Sequence, residues 1–551
     1  MAYFELLDYF VFAFMLVVSA LIGIYFAFFA EKKQNTPSEY LMGSKTMGVF
    51  PISMSLIASY ISGISLLGIP AEIYTYGTMY WLVIISEMFV SLTMAFVYIP
   101  VFYKLEITSS YEYLKLRFGQ NVRILGSCLF IVKMMLYIPI VIYVPALAFS
   151  QVTGVNLHII TPLVCVICIF YTTLGGLKAV VWTDTVQMGV MVLGMLATIW
   201  IGIYEIGFAN IIKRNRDSHR IEFDIFDLDP TVRHSFWTLS IGNYFYWLAS
   251  CSVNQAMVQR CLAMPSQKKA NIAIFNLAIG IILLVSMCCF TGLVVSAYFY
   301  DCDPLTTKKI SKSDQILPYF IMEVGSKIPG LPGVFLSGVF SAALSTMSTG
   351  LNSLTGVILQ DIIRPAVKKP ISEGKASFIM KIIVVSLGAF CVAMVFVVEH
   401  LGTLIQAGKS LASITAGPLL GLFTLGMLFP WANSKGAIAG GISGLTVVSI
   451  LSVASQTAIA RGHIVYEKKP ISIDGCSAGD VADSVLIESS KYIRDTLWVL
   501  QISYLYYTLI GMVIALVVGM VVSYLTGFND PKKMDKNLFA PAIQRFINSK
   551  S

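Results

Sequence analysis

The chain has 551 residues, 57% of them hydrophobic and only 12% charged, against roughly 25% charged in a soluble domain. That balance excludes a protein solvated mainly by water. The formal net charge of +8 reads as one membrane face biased toward anionic lipid, not as a nucleic-acid surface.

Apolar stretches of about 20 residues, the length that crosses a bilayer's hydrocarbon, recur thirteen times and predict an all-α polytopic membrane protein. The first, 9–29, follows Glu5 and Asp8 with no Lys or Arg before it. A secretory signal opens on a basic region, so this stretch reads as a retained helix. The second, 49–70, is weakened by Ser62, Gly63 and Pro70. A break at that depth frees carbonyls that only protein, water or a bound ion can satisfy. The third, 79–103, holds Glu87, a charge that in lipid is functional or paired. The fourth, 124–149, contains Pro139, Pro145 and Lys133, the cation available to Glu87.

The fifth and sixth, 158–175 and 183–204, flank a short turn, with Asp184 at the start of the sixth and Gln187 one turn on. A carboxylate there either caps the helix or serves a site. The spans 237–258 and 272–299 follow. In the ninth, 331–357, Ala342, Ser345, Thr346, Thr349 and Asn352 share one side at helical spacing, with Ser348 nearby. Such a stripe is either close packing with hydrogen bonds as glue or an oxygen wall for a hard monovalent cation. Spans 379–398 and 404–428 come next. In the latter Lys409 precedes a break at Gly417 and Pro418, and either snorkels to the surface or faces a central cavity. The last two are 434–456 and 502–527.

An odd number of spans puts the termini on opposite sides. With the N-terminus extracellular and the C-terminus cytoplasmic, the inner segments hold 21 Lys plus Arg, counting Lys435 at the edge of its span, against 14 outside, all 14 in the long loops 205–236, 300–330 and 457–501. One transmembrane domain, 1–528, is thus followed by a basic cytoplasmic tail, 529–551. Cys302 and Cys476 both fall in outer loops, where a disulfide is compatible with the compartment but not required by sequence. No N-x-[ST] sequon and no signature of a metalloprotease or serine hydrolase occurs. The stretch Gly402 to Ser410 ends like a phosphate loop, but its glycines are spaced wrongly and it runs into a membrane helix.

Six motifs appear in order: PAEIYTYGTMYW at 70–81, YTTLGGLKAVVWTDTVQ at 171–187, VNQAMVQR at 253–260, YDCDPL at 300–305, SAALSTMSTGLNS at 341–353 and AGPLLGLFTLGMLFP at 416–430. Over roughly residues 10–530 the chain resembles the sodium/solute symporter family, in the branch of sodium-coupled monocarboxylate, multivitamin and iodide transporters. The resemblance implies a leucine-transporter-like core of two inverted five-helix repeats, approximately 49–204 and 237–428, with ions and substrate at the midplane beside broken helices. It implies a sodium ion held by the carbonyls of Ala58, Ile61 and Ala342 and the hydroxyls of Ser345 and Thr346. A second sodium would involve Ser59, Asp184, Gln187 and Gln255. Substrate would rest among Tyr60, Ser65, Trp81, Val83, Trp247, Lys409 and Ser413.

Lys409 stands where the pattern has an apolar residue, and Ser65, Val83 and Ser86 differ from those of an iodide carrier. A positive charge at the cavity suits a carboxylate. The expected activity is therefore plasma-membrane import of small organic anions with sodium as the co-transported ion and no organic cofactor. An iodide or neutral-solute symporter, or a sodium-dependent sensor or channel on the same fold, is the alternative. The expected partners are sodium, an anionic small molecule and the lipid bilayer, with no nucleic acid; a homo-oligomer is left open.

Overall fold

A computed structural model describes residues 4–29, 40–41, 43–107, 109–325, 328–367, 371–399, 404–476 and 496–549. Among them every regular element is helical and none is a strand. Among the described residues ten helices are long and apolar enough to cross a membrane, and α2 (Val49–Tyr60) and α3 (Gly63–Tyr76), bent by 55°, are so as a pair. The first of the ten begins with α1 (Leu6–Ile24). Then come α4 (Val83–Thr93), α5 (Gln120–Thr153) and α6 (Leu157–Ile206).

At 1.5 Å per residue, 50-residue α6 would measure about 75 Å, far beyond the roughly 30 Å hydrocarbon core. Gly176, at φ 52° and ψ −153° inside it, ends one helix and starts the next, so the fifth and sixth expected spans are both present. Stretch 237–258 is also broken, into α7 (Asn243–Ser252) and α8 (Gln255–Leu262), each too short to cross alone. Among the described residues each expected span thus coincides with a helix or a pair of helices. Only glycine adopts the Gly176 geometry without strain, which for an L-residue is worth about 1–3 kcal/mol. Gly176→Ala is therefore expected to lower the thermal stability of purified protein. Gly189→Ala, whose added methyl meets nothing within 4 Å, should leave the melting curve unchanged.

The remaining crossings include α9 (Gln267–Tyr298), α10 (Leu331–Val357), α11 (Glu373–Val398), α12 (Leu404–Leu428), α13 (Ser434–Ala460) and α14 (Tyr507–Leu525). Burial ranks them: 94% of the apolar window containing α10 is inside the protein, against 28% for α1. Hence α10 is the central helix and α1 faces lipid. Glycines let α10 approach α6 to backbone contact. A Cβ on Gly338 would lie 3.3 Å from the Val190 carbonyl oxygen, and one on Gly194 3.3 Å from that of Val334. Outside the bundle, Cys302 and Cys476 form a disulfide with Cα atoms 5.0 Å apart. It joins the loop after α9 to the one after α13.

Both the second and seventh spans are broken, and the breaks have local causes. Ile61 and Ser62 are extended, with ψ 107° and 169°. Among the described residues no backbone amide then donates to the carbonyls of Ala58 or Ile61. In the seventh span Val253 leaves the helix and Asn254 restarts it by accepting from the Ala256 amide at 3.0 Å.

Candidate functional site

The break in the second span lies against α10. A Cβ on Gly63 would stand 3.5 Å from the Val339 carbonyl oxygen, and the Ser59 and Thr349 hydroxyls share a 2.9 Å hydrogen bond. The five residues expected around one sodium ion thus lie on these two touching segments. Thr346 donates its hydroxyl to the Ala342 carbonyl at 3.0 Å, which leaves its own lone pairs facing outward. Ser345 is fully buried, and its hydroxyl lies against the Asp184 carboxyl without a well-formed hydrogen bond. A buried oxygen without a full partner can take a hard cation.

The second expected set does not assemble. Asp184 lies inside α6, well past Gly176, so it is no helix cap. Its Oδ2 accepts from Ser55 Oγ at 2.5 Å and from Arg260 Nη2 at 2.9 Å, while Oδ1 is unpaired, with Ser345 beside the carboxyl. Arg260 also donates to Ser55 Oγ at 2.6 Å, to the Ala256 carbonyl at 2.8 Å and to the Thr349 hydroxyl. Gln187 turns to Ser19 on α1 at 3.3 Å, and Gln255 accepts from the Ser110 amide at 2.7 Å. Ser59, Asp184, Gln187 and Gln255 thus each have a different hydrogen-bond partner, and Arg260 joins Asp184 to Thr349. Sequence reasoning missed Arg260 because it lies just past the expected end of the span at 258 and was counted among loop charges. Its signal was its place at the end of the 253–260 motif.

A cavity of about 50 Å³ is lined by Tyr60, Ser65, Val83, Glu87, Trp247 and Lys409, among others. Lys409 does not snorkel. Its ammonium donates to Tyr80 Oη at 2.9 Å and Asn243 Oδ1 at 3.2 Å, and stands 5.1 Å and 5.4 Å from the Tyr80 and Tyr246 ring centres. Glu87 accepts from the Tyr60 hydroxyl, so the expected Glu87 and Lys133 pair is not formed.

Trp81 and Ser413 do not line this cavity. Thr78–Leu82 is a 3₁₀ turn, whose three-residue period puts Tyr80 and Val83 on one face. Trp81 instead donates to Ser286 Oγ at 2.9 Å. Ser413 donates to the Lys409 carbonyl at 2.8 Å and accepts from Thr508 of α14 at 3.0 Å. Tyr80, Asn243 and Tyr246 were missed. Of these only Tyr80 fell inside a quoted motif.

Arg233, from the 205–236 loop, is buried. Its Nε and Nη2 reach Glu72 Oε1 at 2.9 Å and 2.7 Å, and Nη1 reaches Gln406 Oε1 at 2.5 Å. The guanidinium also covers the rings of Tyr76 and Tyr466, at 4.3 Å and 4.8 Å. This cluster ties the loop to both α3 and α12, the elements that carry Ser65 and Lys409.

Known proteins are similar to this chain. The family model described as "Sodium:solute symporter family" matches residues 40–444. The chain is 38% identical to sodium-coupled monocarboxylate transporter 2 of Mus musculus, covering 98% of this chain and 87% of the mouse protein. It is 39% identical to sodium-coupled monocarboxylate transporter 1 of Xenopus laevis, over 95% and 86%. Identity to the sodium-dependent multivitamin transporter of Oryctolagus cuniculus is 38%, over 99% and 86%. The solved structure of a Na+-coupled sialic acid symporter, in a substrate-bound outward-open state, superposes with a TM-score of 0.76 at 22% identity, covering 96% of this chain and all of that one. That likeness establishes a leucine-transporter-like helical fold, and the sequence matches establish descent: the chain is a multi-pass membrane protein that belongs to the sodium:solute symporter family.

Proposed function

We propose that the chain imports small organic anions, monocarboxylates or carboxylate vitamins such as biotin and pantothenate, across the plasma membrane by sodium-coupled alternating access. The observation that carries this reading is Lys409, a buried ammonium held at the cavity wall by Tyr80 and Asn243. It offers a carboxylate a charge-assisted hydrogen bond in a dry, aromatic setting. The sodium-coupled monocarboxylate and multivitamin transporters that the chain resembles support the same class of cargo. The activity is transport and not chemical conversion.

One sodium ion binds between α2 and α10 at Ala58, Ile61, Ala342, Ser345 and Thr346. A second sits at the free side of the Asp184 carboxyl, with Ser345 next to it, in place of the dispersed set expected from sequence. Two ions suffice for the work. At about 60 mV each gains roughly 1.4 kcal/mol from voltage and about 1.4 from a tenfold gradient. After the anion's own electrical cost about 4 kcal/mol remains, accumulation on the order of a thousandfold. The repeats run over 49–204 and 237–428. The N-terminus is extracellular and the tail 529–551 cytoplasmic, an orientation supported by the Cys302–Cys476 disulfide, which needs an oxidising compartment.

Substrate-evoked current under voltage clamp tests the proposal across lactate, pyruvate, nicotinate, biotin, pantothenate, iodide and glucose, with sodium or choline outside. Inward, sodium-dependent current with a carboxylate is expected. Current with glucose alone would favour a neutral solute, a second reading suggested by Glu87, which offsets the charge of Lys409 in the same cavity. Ser345→Ala and Thr346→Ala are each expected to raise the half-saturating sodium concentration by roughly tenfold, the loss of one ligating oxygen. Unchanged sodium dependence in surface-expressed variants would rule out the first site.

A further inference from the structure

The rings of Tyr60 and Trp247 stack with centres 3.7 Å apart, and both residues line two cavities, the one described and a second of about 60 Å³. In the first, Lys409 is balanced by Glu87. The second has Lys133 in its wall and no carboxylate. Lys133 projects from α5, is 7% exposed and makes no hydrogen bond or ion pair with a described residue. Glu87, the carboxylate its span position suggested, is taken by Tyr60.

An ammonium at this depth is expensive without an acceptor for its three N–H groups. The rest of the wall provides hydroxyls and an amide from Ser59, Ser250, Asn254 and Thr349, while the Thr346 hydroxyl proton is already given to Ala342. Behind Thr349 stands Arg260, which donates to its hydroxyl and is itself paired with Asp184, so Lys133 is the unbalanced charge of this wall. Hydroxyl and amide donors around an unbalanced ammonium are a receptor for a small anion with several lone pairs.

We propose that Lys133 forms a second anion subsite, which takes a small carboxylate once it has passed the Tyr60–Trp247 stack from the Lys409 cavity. The inference rests on the organic-anion reading of the first cavity. It makes the stack a partition between an outer and an inner position of the same cargo, the inner one on the α8 side, which in the proposed orientation is cytoplasmic. The charges on either side of the partition let the anion exchange one ammonium for another without crossing the protein uncompensated.

The test uses the full chain and radiolabelled pyruvate in saturating sodium. Equilibrium binding to purified wild-type protein in nanodiscs should approach about two anions per chain, and Lys133→Gln should reduce that to about one. In proteoliposomes Lys133→Gln should raise the half-saturating pyruvate for efflux from the α8 side by roughly tenfold, leave the value on the Lys409 side within about threefold, and be rescued by Lys133→Arg. A single anion bound by wild type overturns the subsite even if the variant fails to fold. So does a Lys133→Gln protein with wild-type efflux kinetics. Wild type that neither binds nor carries pyruvate or any other carboxylate of the current panel overturns the anion reading itself, and the subsite with it.

Discussion

Arg260→Met is expected to lose sodium-driven uptake and much of its folded protein, because the change strands the Asp184 carboxylate in the core. Arg260 is 1% exposed and Asp184 fully buried. Removing one partner of such a pair costs about 3–5 kcal/mol, mostly from the charge left without a counter-ion. The guanidinium also fastens three segments at once: Ser55 on α2, the Ala256 carbonyl on α8 and Thr349 on α10. A lysine is a point charge and cannot span those acceptors, so Arg260→Lys should be nearly as damaging. Arg260→Met with Asp184→Leu should recover stability, as an apolar pair of similar volume often does, but not full sodium coupling. Thermal unfolding of purified protein, surface biotinylation and sodium-driven uptake measure the three quantities. Wild-type uptake by Arg260→Met would mean that the pair is dispensable.

Lys409→Leu should raise the KM for a carboxylate by about tenfold to a hundredfold and leave a neutral solute unaffected. A hydrogen bond to a charged group contributes about 1.5–3 kcal/mol, and each 1.4 kcal/mol is a factor of ten. The variant also leaves Glu87 as an unbalanced charge in the cavity, which repels an anion. Lys409→Leu with Glu87→Gln should therefore recover part of the affinity. Concentration series of substrate-evoked current measure both effects, and an unchanged carboxylate KM in Lys409→Leu would remove the ammonium from the binding site.

Much of the membrane architecture was legible because lipid enforces a simple rule. A backbone without water must satisfy its own hydrogen bonds, so each crossing is a long apolar helix visible in the one-dimensional pattern. The break at Ser62 and Gly63 was legible for the same reason. The stripe from Ala342 to Asn352 marked the central helix, since a helix buried on all sides shows small hydroxyls where a lipid-facing one shows bulk. The break at Val253 and Asn254 carried no comparable signal.

Charge partners were not legible, because pairing depends on which helix faces which. Glu87 and Lys133 looked complementary along the chain, yet Glu87 bonds Tyr60 and Lys133 faces the second cavity. Asp184 and Arg260 are 76 positions apart, and only the return of α8 into the core joins them. The 3₁₀ turn at Thr78–Leu82 rotates Tyr80 inward in place of Trp81, a phase that periodicity read as an ordinary helix could not reveal. The sequence by itself determined that this is a multi-pass membrane protein and which helices are apolar, because hydration of side chain and backbone is a local property. Only the tertiary structure decided which charges neutralise one another and which one is left open to an anion, because electrostatic pairing in a low-dielectric interior is settled by distances of a few ångströms between segments far apart in the chain.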